Sequence, residues 1–69
     1  MTKFTLFQML ELLAQHPKLI FSRVNDPNFK VKRGYLGDVL IDIKGNISIM
    51  KIFNYVQDLF VIDEKDSKE

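Results

Sequence analysis

The chain has 69 residues, enough for one domain, with no cysteine, one histidine and a formal net charge of +1. The absence of cysteine excludes disulfide staples and cysteine-built zinc sites, and a single histidine cannot make a histidine cluster for a metal. The charge balance excludes the strongly acidic surface of a DNA mimic and gives no strong basic footprint for nucleic acid.

In chain order, the first stretch with a clear pattern is Thr5 to Pro17. Thr5 and Gln8 fit a capping box, in which the hydroxyl accepts from an amide three residues on and the glutamine reaches back. Leu6, Met9, Leu10 and Leu13 recur at helical spacing, and Phe7 and Leu12 widen the stripe. Pro17 ends the helix by turning His16 away from α geometry. Gln8, Glu11 and Gln15 interrupt the apolar run, which is far short of the ~20 residues that span a bilayer. The polar face carries no lysine or arginine to hold it at a membrane surface, so no membrane partner is expected. The stripe requires burial against a sheet.

Leu19 to Val24 reads as a first strand with apolar residues on both faces, as in a central strand. Asn25 to Asn28 reads as a turn. Phe29 to Arg33 alternates strictly. Phe29 and Val31 point in, while Lys30 and Lys32 point to water and suit a guarded edge. Gly34 to Gly37 is either a turn or a bulged continuation. Asp38 to Ile43 is a third strand with Val39, Ile41 and Ile43 toward the core. Lys44 to Asn46 turns the chain. Ile47 to Met50 then starts a fourth strand or leads directly into a helix over Ile49 to Gln57, with Ser48 as a cap. Leu59 to Asp63 is a last short strand. Charged residues 64–69 have no apolar anchor and are expected to be disordered. The fold class is therefore α+β. An N-terminal helix and one short helix pack on a mainly antiparallel sheet of about four strands, within a single domain spanning residues 1–63.

Chemistry-bearing residues are few. His16 has no serine, cysteine or acidic partner at a motif spacing and reads as a helix C-terminal residue favoured by the macrodipole. Asp38 and Asp42 share one strand face and read as solubilising rather than as an acid/base pair. No enzyme activity, metal or cofactor is expected. The basic run Lys18, Arg23, Lys30, Lys32 and Arg33 is interleaved with Phe29 and Tyr35. Cations beside aromatics grip phosphates and bases, so Arg23, Phe29, Lys32, Arg33 and Tyr35 are the candidate ligand- or partner-binding residues. The alternative is a solvated strand face balanced by Glu11, Asp38 and Asp42. The hydrophobic fraction of 46%, with six phenylalanines and two tyrosines, exceeds the ordinary needs of so short a chain. Part of that apolar surface is expected to serve homo-oligomerisation. No secretory leader is visible after Lys3, and with the missing cysteines this leads to an expected cytoplasmic location.

The succession of elements resembles a family of small phage and prophage proteins. Their pattern is an N-terminal helix, a strand ending in arginine and tryptophan, two middle strands, a serine-led helix and an Asp-Trp-Glu-Val-like end. The resemblance covers Phe4 to Asp63. Arg23 matches the strand arginine, and Asp58-Leu59-Phe60-Val61-Ile62 matches the end, with Phe60 near its tryptophan. The family includes the Thoeris anti-defence sponges, which bind a cyclic ADP-ribose signal between subunits. The chain has no tryptophan, and Asn25 stands near where the first is expected. An aromatic platform would have to come from Phe29, Tyr35 or Phe60. The resemblance implies a non-enzymatic, phage-encoded inhibitor of a host defence system in the cytoplasm of an infected or lysogenic bacterium. Its partner would be a host defence protein or a nucleotide signal. The alternative expectation is a small nucleic-acid-binding module using the basic strand around residues 30–33.

Overall fold

Thr5 starts the helix as its sequence pattern predicts. Its hydroxyl accepts from the Gln8 amide at 3.3 Å, and the Gln8 carboxamide accepts from the Thr5 amide at 3.0 Å. The computed structural model describes residues 2–64. In it, the helix α1 runs Leu6–Gln15. His16 closes it at φ −131° and ψ 79°, outside the α region, as the following Pro17 requires.

Leu6, Met9 and Leu13 are fully buried, and Leu10 and Leu12 pack beside them. Phe7 does not widen the stripe but faces solvent. One residue on from Leu6, it is rotated by about 100° off the face that meets the sheet, which needs only an i, i+3, i+7 row.

Among the described residues the sheet has six antiparallel strands in the order β1-β6-β2-β3-β4-β5, more than the sequence pattern indicates. They are β1 Phe4–Thr5, β2 Ile20–Arg23, β3 Asp26–Arg33, β4 Val39–Ile43, β5 Asn46–Ile49 and β6 Leu59–Ile62. β1 escapes a sequence reading because it is two residues long and its second residue, Thr5, is itself the helix cap. β2 lies between β6 and β3, the central position its apolar faces require.

β3 is also central, paired with both β2 and β4, so its lysines do not guard an edge. They are tolerated there because Asp63 and Asp42 on the neighbouring chain segments meet them. The turn before β3 is Val24–Asn25, shorter than the sequence indicates. Asp26 already pairs with Arg23, and the register then shifts past Pro27, Asn28 and Phe29 to the Ser22–Lys30 pair. A proline, which cannot donate to a ladder, is accommodated at such an irregularity. The Asp26 carboxylate steadies it by accepting from the Asn28 amide at 3.1 Å.

Gly34 to Gly37 is a turn, not a bulge. The Gly37 amide donates to the Gly34 carbonyl at 3.0 Å, and Gly37 sits at φ +89°. Lys44 and Gly45 form a two-residue hairpin loop with both φ values positive, 52° and 89°, which marks a type I′ turn.

Of the two readings for Ile47 to Met50 the strand is the one adopted, and the short helix expected over Ile49 to Gln57 is reduced to a single turn. Ser48 and Ile49 belong to β5, and only Ile52–Tyr55 coil, as a 3-10 helix with no side-chain cap. At about three residues per turn, Ile52 and Tyr55 fall on one side and pack on the core. Phe53 is thrown outward and is 87% exposed.

The core lies on one face of the sheet, where Phe21, Val31 and Phe60 meet α1. Phe4 meets Phe21 edge-on, with ring centroids 5.8 Å apart. The cross-strand pairs show which residues share this face, because opposed residues point the same way. Ile43 lies on the helix side, but beyond the reach of α1, and stays exposed. The expected disorder of residues 64–69 falls, except for exposed Glu64, outside the described residues.

Removing the cap hydroxyl tests the helix directly. Thr5→Ala should cost about 1 kcal/mol. For a domain of this size that is a fall of about 4–8 °C in Tm, read by circular dichroism. An unchanged Tm would mean that the capping box contributes nothing to holding α1 on the sheet.

Candidate functional site

The alternation of β3 separates the residues expected to form one site. Phe29, Val31 and Arg33 lie on the helix side, while Lys30 and Lys32 lie on the opposite, open side.

On the helix side, Phe29 is a core residue, with its ring centroid 5.2 Å from that of Tyr55. The Arg23 guanidinium covers the Phe29 ring at 5.0 Å from its centroid, and its Nε lies 3.4 Å from an Asp58 oxygen. Arg33 crosses to the end of α1, where Nη1 donates to the Leu13 and Ala14 carbonyls at 3.4 and 3.3 Å. These are carbonyls the helix leaves unsatisfied, and a guanidinium suits the negative end of the helix dipole. Tyr35 stands apart, fully exposed on the Gly34–Gly37 turn beside exposed Leu36.

On the open side the lysines are engaged. Lys32 Nζ lies 3.5 Å from Asp42. Lys30 is paired with the Asp63 carboxylate, which also accepts from the Ser22 hydroxyl at 3.1 Å. This explains how Ser22, the one buried polar residue among the described residues, keeps a partner beneath its neighbours. Asp38 and Asp42 do not form a pair. Asp38 lies exposed in the loop before β4, and Asp42 is committed to Lys32 and to the Gly45 amide at 2.8 Å. Among the described residues no group of histidine, cysteine, aspartate or glutamate could hold a metal ion.

Two depressions border these groups. One of about 280 Å³ is lined by Lys3, Arg23, Asn25, Gln57 and Asp58. A wider one of about 670 Å³ lies open over Ser22, Asn28, Lys30, Val61 and Asp63.

The cross-strand pairs fix the composition of the whole open face. Lys32 opposes both Ile20 and Leu40, Leu40 opposes Ile49, and Asp42 opposes Ile47. Ser22 opposes Val61, with Leu59 two residues before it on β6. The face therefore carries a central band of paired charges flanked on both sides by apolar residues, Ile20, Val61 and Leu59 on one side and Leu40, Ile47 and Ile49 on the other. No element of the described chain covers it. Sequence reasoning missed this surface because Ile47 and Ile49 suit a buried strand or a helix equally well. Asp58 and Asp63 were missed because they meet Arg23 and Lys30 only through the fold.

No helix among the described residues is long and apolar enough to cross a membrane. Comparison with models of known protein families, with curated proteins and with solved structures found no match.

The internal roles of the cations make a stability prediction. Arg23→Ala removes a guanidinium packed on a core ring and should destabilise the fold by about 1 kcal/mol in urea denaturation. Tyr35→Ala, with nothing to lose, should stay within about 0.5 kcal/mol of the parent. Equal midpoints for Arg23→Ala and the parent would show that the Arg23 side chain is free for a ligand.

Proposed function

We propose that the chain is a non-enzymatic binding protein that inhibits a host defence system by covering a defence protein with the open face of its sheet. The phage origin, the anti-defence role and the bacterial cytoplasm come from the resemblance over Phe4 to Asp63. The choice of a protein target over a nucleotide comes from the state of the charged groups. Arg23, Lys30, Lys32 and Arg33 each have a partner within the chain, so a phosphate would have to displace a carboxylate or a helix carbonyl.

The open face, by contrast, offers apolar side chains around a neutralised polar band. That is the composition of a surface that contacts another protein, with a few apolar anchors and paired charges that set orientation. Exposed Leu59 is an anchor at its β6 side.

A nucleotide signal held between subunits is the second reading. It is favoured by the polar depression beside Arg23, where Lys3, Asn25 and Gln57 supply donors. At about 280 Å³ in one subunit that depression falls at the small end of ligand sites, so a dinucleotide-sized signal needs a second subunit to complete it.

Expression of the chain in bacteria carrying single defence systems, Thoeris among them, tests the reading through phage plating efficiency. Plating is restored against one system, and Leu59→Lys, with unchanged circular dichroism, weakens capture of the defence protein by about tenfold or more. Native mass spectrometry of the purified protein separates the two readings. Extra mass that leaves on denaturation would replace the protein target by a nucleotide. Binding to nucleic acid that falls steeply with salt would replace both by the basic-strand module. No change in plating with any system would sink the anti-defence proposal.

A further inference from the structure

The two edges of the sheet are unlike. β1 offers two residues, whereas β5 offers Asn46–Ile49, every one of them exposed. The parity of the β4–β5 hairpin fixes which backbone groups of β5 are free. A two-residue loop at Lys44–Gly45 makes Ile43 and Asn46 a hydrogen-bonded pair, and such pairs recur at every second residue. The Met50 amide, donating to the Val39 carbonyl at 2.9 Å, keeps the same parity at the far end. Asn46, Ser48 and Met50 thus turn their backbone groups toward β4. Ile47 and Ile49 turn theirs outward, and their side chains are 57% and 67% exposed on the open face.

We propose that β5 pairs with β5 of a second copy of this chain, antiparallel about a two-fold axis through Ser48, joining two sheets edge to edge. This does not depend on the target proposed above. The occupant follows from the strand itself. A two-fold axis sets each residue against its mirror position, so a charged edge strand would meet like charge. From Gly45 to Met50 there is no charge, and Ile47-Ser48-Ile49 reads the same in both directions.

The register follows too. About Ser48, Ile47 opposes the partner subunit's Ile49, and both pairs exchange their outward N–H···O bonds. An axis through Ile47 would set Ile49 against Gly45, and an axis through Ile49 would set Ile47 against Lys51. Only the Ser48 axis uses both isoleucines of each copy as cross-strand pairs. Nearby Leu40, opposite Ile49 on β4, extends the apolar strip on the open face. The ladder is short and falls below the area of a stable interface, so the dimer is a weak one, with a dissociation constant on the order of 10–100 μM.

The chain has no cysteine, so one introduced thiol reports its own position. Across the axis Ser48 forms a non-hydrogen-bonded pair, with Cα atoms about 4.5 Å apart, inside the range of a disulfide. Under mild oxidation Ser48→Cys should become a covalent dimer. Gln15→Cys, exposed on the helix, should remain monomeric. In sedimentation, the wild-type average mass should rise from monomer toward dimer between about 5 μM and about 500 μM. Ile47→Lys, at an exposed position and with its fold checked by circular dichroism, should remain monomeric throughout. A wild-type chain monomeric at the highest concentration overturns the proposal. So does cross-linking of Gln15→Cys as complete as that of Ser48→Cys. A dimer that Ile47→Cys traps and Ser48→Cys does not overturns the register.

Discussion

Everything in this fold depends on one short helix having to cover one wide sheet. Ten residues of α-helix are about 15 Å long and about 10 Å across, whereas six strands side by side span about 24 Å. α1 can shield one part of one face. The residues that meet it, Phe21, Val31 and Phe60, are fully buried with Leu6, Met9 and Leu13. Beyond its reach the core is closed by smaller devices. Met50 is buried where the chain leaves β5, and Ile52 and Tyr55 fold under the sheet as a 3-10 turn. Cover is therefore dense near β6, β2 and β3 and thin toward β5, and no described element covers the second face. The apolar excess in the composition is divided accordingly between a full core and an exposed remainder.

The same geometry disposes of the basic run. In a linear view Arg23, Lys30, Lys32 and Arg33 surround aromatic residues and look like a phosphate grip. In a pleated strand, neighbours point to opposite faces, so the run is cut in two. Each cation then meets a partner that the fold brings from elsewhere: Asp58 for Arg23, Asp63 for Lys30, Asp42 for Lys32 and the end of α1 for Arg33. Partly exposed pairs of this kind add little stability. Their larger effect here is to make a central, lysine-bearing strand compatible with neighbours on both sides and to neutralise the open face.

What could be read from the sequence was what is decided locally. The Thr5–Gln8 cap, the Leu6-Met9-Leu13 row and the stop at Pro17 involve residues within a few positions of one another. So does the alternation of Phe29 and Val31, and each appears in the structure as its pattern indicates. What could not be read depends on distant partners or on competition between periods. Ile47, Ile49, Ile52, Phe53 and Val56 satisfy a strand at one end and a helix at the other, and only the hairpin with β4 decides where one gives way. β3 reads as an edge because its carboxylate partners lie 10 and 33 positions away in the chain. Of the candidate site, the residue types were legible but their assembly was not. Arg23 and Phe29 do meet, at the price of Phe29 becoming core, while Tyr35 and the lysines go elsewhere.

Edges are where this sheet departs from the habits of stable small proteins. Natural sheets blunt an edge by shortening it, charging it or covering it. The β1 edge follows the first of these, with two residues held against the start of α1. β5 follows none. It is exposed at every position, and it lies in an uncharged interval of a chain that has ten lysines and arginines to place. Lys44 and Lys51 bracket that interval without entering it. A sequence able to put lysines on a central strand, with carboxylates to match them, could as readily have put one on β5. A local rule broken where compliance was easy marks a position shaped by something outside the fold of a single chain. The bare strand borders the open face, so a group that paired with it would also lengthen the strip formed by Leu40, Ile47 and Ile49. The unprotected edge and the uncovered face thus meet at Ile47 and Ile49, whose backbone groups turn outward and whose side chains lie on the face opposite α1.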